Sequence, residues 1–181
     1  MSDEKVYEPS GFKVPDLTRY VSGAYKGDSP PTRWLVEGRV PRGKVMVLAG
    51  EGGVGSWLEL ELFAAINDAG IDYVWGGRVV KKGLPCLILA AEDDRSEIDN
   101  RLKAIRETWG VAPNPFGYII PCAEVGSFTL FKPIYDGTIA GTDVYAWLDE
   151  TLEGMKAWCG ELGFVAIDTL SALVSINEND N

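Results

Sequence analysis

Four glycines fall within six residues, at Gly50, Gly52, Gly53 and Gly55, and the hydroxyl of Ser56 follows them directly. Glycine reaches positive φ and lets a backbone approach closely, so successive N–H groups of such a turn can converge on a phosphate. The frame Gly50-x4-Gly55-Ser56 is that of G-x-x-x-x-G-K-[ST] with the lysine missing. That lysine puts positive charge on the β/γ-phosphates, so the spacing predicts phosphate binding with weakened chemistry. Gly50, Glu51, Gly52, Gly53, Val54, Gly55, Ser56 and Trp57 are the candidate nucleotide-binding residues. Ser56 is also a candidate Mg²⁺ ligand through its hydroxyl. A merely flexible loop is the bland alternative, and the apolar run Val45–Ala49 just before it counts against that.

Two carboxylates stand at the ends of other apolar runs. Asp168 closes Phe164-Val165-Ala166-Ile167, the position from which a carboxylate holds a Mg²⁺ shell. Glu92 closes Leu84–Ala91, where a carboxylate could orient an attacking water or take its proton. Taken singly, an Asp ending an apolar strand is more often a turn or helix-capping residue, and Glu92 alone also reads as a solvated strand end. Arg101, nine residues after Glu92, offers a planar guanidinium able to stack on a nucleotide base. Arg95, Arg101 and Arg106 otherwise read as ordinary helix-surface charge.

These groups need elements to position them. Val45–Ala49 is predicted to be a strand buried on both faces of a parallel sheet, and Ser56–Asn67 a helix stopped by Gly70. The alternation in Trp57–Phe63 is strand-like, but a parallel sheet requires a crossover at this point. Tyr73–Val80 suggests a strand or hairpin arm, and Lys81-Lys82-Gly83 a turn into the strand Leu84–Ala91. Asp94 and Glu97 mark a helix start, and Ile98, Leu102, Ile105 and Trp109 lie on one helical face ended by Gly110. Tyr118–Ile120 reads as a third strand and residues 123–141 as a long loop. A helix capped by Thr142 or Asp143 follows, with a stripe from Val144 to Leu162, ended by Gly163; Phe164–Asp168 is the last strand. Alternating strands and helices give an α/β domain with a mostly parallel sheet, whose ligands bind outside the carboxyl ends of the strands. Residues 1–31, with Pro9, Pro15, Pro30 and Pro31, read as a flexible N-terminal arm, and 32–181 as the folded domain.

Composition narrows the function classes. The 181 residues carry 17 basic and 27 acidic side chains, a net charge of −10, with no histidine. Such a balance opposes loose binding to DNA or to an anionic membrane, and it removes histidine acid–base chemistry. Without a long apolar stretch or a signal peptide, the expectation is a cytoplasmic protein. Cys86, Cys122 and Cys159 lack metal-type spacing and read as reduced thiols, Cys86 and Cys159 within core patterns.

Order and spacing together resemble the RecA-like P-loop ATPases, and within them the RepA-type hexameric replicative DNA helicases of plasmids and phages. The resemblance runs from about Trp34 to Asn181. It rests on Gly38-x4-Gly43-x-Val45-x3-Ala49-Gly50 through Ser56, on Leu89-Ala90-Ala91-Glu92-Asp93 with Arg101, on Val165–Ser171, and on the acidic tail Asn177–Asn181. It implies a RecA-like P-loop NTPase core that binds ATP and Mg²⁺. Glu92 would be the catalytic glutamate, Ser56 and Asp168 the metal-holding pair, and Arg101 a base contact. It also implies self-association into a ring, a hexamer in the family, with nucleotide between subunits and single-stranded DNA through the centre. Strong DNA binding by this acidic chain itself is not expected.

Two departures qualify this. Loss of the lysine removes a charge-assisted contact and shifts Ser56 by one position, about 100° of helix rotation if the loop does not absorb it. The chain also stops soon after the Asp168 strand, so the domain is expected to be C-terminally truncated, with an exposed apolar sheet edge. The alternatives are a non-catalytic RecA-like regulatory or interaction module and a recombinase-type ATPase. A Rossmann-type dinucleotide site fits poorly, because the loop is not G-x-G-x-x-G in frame.

Overall fold

The computed structural model describes residues 30–49, 54–126, 128–134 and 138–173. Apart from Pro30 and Pro31, the predicted arm lies outside them, as do Gly50, Glu51, Gly52 and Gly53 of the loop.

Three parallel strands form the central sheet, in the order β6 (Gly117–Pro121), β5 (Cys86–Ala90), β9 (Val165–Asp168). The register sets Leu87 beside Tyr118 and Val165, and Ala90 beside Pro121 and Asp168. All five residues of β5 are buried, as expected for the central strand of a sheet covered on both faces. On one face lie α1 (Val54–Asn67) and α2 (Arg95–Trp109); on the other lies α3 (Asp143–Cys159). This is the α/β fold expected from the sequence, a parallel sheet flanked by helices.

Helix α1 is buried along its whole second half, Leu62 to Asn67, rather than on one stripe. The sheet covers one side. Leu35 and Val36 of the hairpin β1 (Trp34–Val36) and β2 (Val40–Pro41), with Val74 of the hairpin β3 (Tyr73–Val74) and β4 (Gly77–Arg78), close over the other. All-round burial explains why its sequence carries no clean amphipathic signal. Gly70 does not cap it: Ala69 takes the left-handed turn at φ 63°, and a Cβ on Gly70 would run into the Val111 side chain.

Helix α2 follows its sequence signals closely. The Asp94 side chain accepts the Glu97 N–H at 2.9 Å, Ile98, Leu102 and Ile105 are buried, and Gly110 ends the helix at φ 65°. Thr142 caps α3 by accepting the Tyr145 N–H, but Gly160, not Gly163, turns the chain at its end. A Cβ on Gly163 would meet the Cys86 Sγ at 2.6 Å, so that glycine serves close packing. Only Leu148 of the α3 stripe is fully buried; Trp158 is 64% exposed. The predicted loop 123–141 contains a hairpin, β7 (Phe131–Pro133) with β8 (Ile139–Gly141). Cys122 proves buried and Cys159 half-buried, and burial pushes the Cys86 thiol up to about 12.

One expectation is overturned. Val45–Ala49 is not a strand, and Val45 is 97% and Val47 85% exposed. A strand needs neighbours for its N–H and C=O groups, and the sheet brings none to it: among the described residues nothing pairs with the outer edge of β9.

Candidate functional site

The carboxyl ends of β5, β6 and β9 share one sheet edge because the strands are parallel and in register. Asp168 is the last residue of β9, and Glu92 and Asp93 follow β5 on the neighbouring strand. The N-terminus of α1, with Val54, Gly55 and Ser56, arrives at the same edge: Ser56 Oγ donates to Asp168 Oδ2 at 2.5 Å. Residues 112 apart in sequence, singled out as the metal-holding pair, are therefore in direct contact. The helix begins two residues earlier than expected, so Val54 and Gly55 already lie in its first turn. Among the described residues a Cβ on Gly55 would meet nothing within 4 Å. Unpaired first-turn N–H groups and the helix dipole favour an anion there.

Glu92 is exposed, and its Oε1 accepts the Thr169 hydroxyl at 3.0 Å. Thr169 Oγ1 also lies 3.1 Å from Ser171 Oγ, giving Glu92 a hydroxyl-fixed orientation at the rim of the edge. The Asp168–Thr169 peptide bond is cis.

Arg101 reaches the site from α2. Its Nη1 donates to Asp93 Oδ2 at 2.7 Å, its Nε to Glu97 Oε1 at 2.8 Å, and its guanidinium carbon stands 5.8 Å from the centre of the Trp57 ring. It is therefore not the solvated surface charge of the bland reading. Two carboxylates fix its plane against an indole that directly follows Ser56. Arg106 has a separate task, a two-pronged ion pair with Asp68 at the far end of α1.

Sequence reasoning missed Glu59. It is only 9% exposed, and its Oε1 is buried without a hydrogen-bond partner. Burial, then the charges of Asp168 and Asp93, push its carboxyl up to about 8. The available signal was its spacing: residues 56 and 59 lie on one helix face, so a Ser56 turned to Asp168 brings Glu59 along. The alternating run Leu58-Glu59-Leu60-Glu61-Leu62 does not by itself set Glu59 apart from Glu61.

Among the described residues no three Cys, Asp or Glu stand close enough to hold a metal unaided. The Ser56–Asp168 pair nevertheless fits Mg²⁺, which takes one or two protein oxygens and fills its shell with water and phosphate. No helix of the described residues is long and apolar enough to cross a membrane. No curated protein and no solved structure matches the chain significantly. A family model described as an AAA domain matches residues 9–181, nearly the whole sequence, and the chain belongs to that P-loop ATPase family.

Proposed function

We propose that this chain is the nucleotide-binding part of a RepA-type replicative DNA helicase, binding ATP with Mg²⁺ but hydrolysing it poorly. The contact between Ser56 and Asp168 at the N-terminus of α1 carries the reading, because it joins the two residues such a site needs for its metal. Ser56 and Asp168 would hold Mg²⁺, and the loop from Gly50 to Gly55 would cradle the phosphates. Bound Mg²⁺ would supply charge neutralisation at the β/γ-phosphates. Glu92, held by Thr169, orients the attacking water at the open rim of the sheet. Trp57 and Arg101 flank the nucleotide, Arg101 with its plane fixed by Asp93 and Glu97.

The missing lysine limits the chemistry. Among the described residues Arg101 is the one cation bonded within this cluster, and its charge is already met by two carboxylates. Transition-state charge on the γ-phosphate thus lacks its usual partner. Ring formation by self-association, with single-stranded DNA contacted through other parts of the ring, completes the proposal.

Calorimetric titration of Mg·ATP-γ-S into the chain, beside a version with lysine reinserted after Gly55, tests it. Tighter binding on reinsertion, lost in Asp168→Asn, is the expected result. Equal affinity in both versions would sink the loop assignment. Tighter binding on reinsertion, with neither version hydrolysing ATP in a parallel phosphate-release assay, would favour a non-catalytic regulatory module, the reading to which the lysine gap itself points.

A further inference from the structure

A buried carboxyl with no hydrogen-bond partner is costly to keep, and Glu59 keeps one beside the site's other acids. Its position follows from the fold. Ser56 and Glu59 are one turn apart on the same face of α1, and the Ser56–Asp168 hydrogen bond holds that face against the end of β9. The charged groups that bear on it are Asp168 from β9 and Asp93 from the segment after β5, while the nearby cation of α2, Arg101, is engaged by Asp93 and Glu97. No cation of the described residues is bonded to Glu59 or to Asp168. The cluster therefore has an excess of acid and an unused buried oxygen, and its one cation, Arg101, is already paired with Asp93 and Glu97.

We propose that Glu59 is a third side chain of the cation site formed with Ser56 and Asp168, engaging a divalent ion and its water shell with its unpartnered carboxyl. The inference rests on the nucleotide-site reading for Ser56 and Asp168 and extends it to a residue outside the phosphate-loop frame. It also makes the site able to take a divalent ion before any nucleotide arrives. Two carboxylates and a hydroxyl, completed by water, match the oxygen-only coordination of a hard cation. In this chain the ion supplies the positive charge that the loop does not.

The test uses Tb³⁺ as a probe for the hard-cation site, without nucleotide. Trp57, adjacent to Ser56, serves as the light-absorbing donor for sensitised emission. Wild type should give saturable emission displaced by Mg²⁺, and Asp168→Asn should abolish it. Glu59→Gln, which keeps size and hydrogen-bonding capacity, and Glu59→Leu, which keeps only bulk, should each weaken Tb³⁺ and Mg²⁺ binding by about tenfold or more. Mg²⁺ should raise the melting temperature of the wild type more than that of either variant. Unchanged ion affinity in both variants, with Glu59→Leu simply more stable, would overturn the proposal and make Glu59 a buried structural acid. In that case loss of binding in Asp168→Asn alone would leave the nucleotide reading standing. Ion binding that survives Asp168→Asn, or no saturable binding by wild type, would overturn the cation site itself.

Discussion

Glu59 makes the folded chain hold a proton that the unfolded chain releases. Its carboxyl is pushed up to about 8 by burial and by Asp168 and Asp93, against an ordinary value of 4.5. Between those two values the folded state binds more protons than the unfolded state, so stability falls as pH rises. The stabilising contribution is complete below the ordinary value and is gone once pH passes the raised one. Urea midpoints should therefore drop between pH 5.5 and pH 8.5 in the absence of divalent cations. Glu59→Gln, which carries no titrating proton, should flatten that drop. A wild-type profile as flat as that of the variant would show that the carboxyl ionises without cost. Added Mg²⁺ should stabilise chiefly the alkaline end, where the carboxylate is charged and an ion offsets the repulsion among the acids.

At the scale of elements, α1, α2 and the approach to β6 are joined by one buried polar cluster. The Asp68 side chain is fully buried and accepts Arg106 Nε at 2.7 Å, Arg106 Nη2 at 3.1 Å and the Asn114 N–H at 2.9 Å. Asn114 also donates to the Asn67 carbonyl, and Asn67 to that of Leu84. Asp68→Ala should strip the partner from Arg106 and cost about 3 kcal/mol in chemical unfolding, the penalty of a stranded charge. A loss no larger than that of an exposed pair would mean water replaces the carboxylate. This cluster was not legible in the sequence, because it joins residues about forty positions apart. Helix α2 was legible because its cap, its apolar face and its terminal glycine all lie within its own stretch. Strands β5 and β9 were legible as apolar runs ending in acids. Val45–Ala49 has the same composition but depends on neighbours, and composition cannot report whether a neighbour is present. The β7–β8 hairpin escaped notice because its strands are three residues each, with Pro133 ending the first. Within the site, Ser56, Glu92 and Asp168 could be singled out by motif spacing. Glu59 could not, since its burial comes from the partner elements of α1 and not from its own neighbours in sequence.

For the whole molecule, charge and apolar exposure oppose each other. The net charge of −10 keeps copies apart, while Val45, Val47 and Leu170 stay exposed and β9 has no strand on its outer edge among the described residues. An unpaired strand edge and exposed apolar residues are each a template for association. Association through either feature should strengthen with concentration and also with salt, because salt screens the repulsion between acidic copies without weakening apolar contact. Sedimentation or size-exclusion runs at low and moderate ionic strength should show the shift to larger species. Val45→Lys with Val47→Lys should reduce it at every salt concentration, since the exposed segment would then resist burial. Association that weakens with salt would instead indicate ion pairing between copies, and a monomer under all conditions would mean that the free edge and the segment before α1 do not draw copies together.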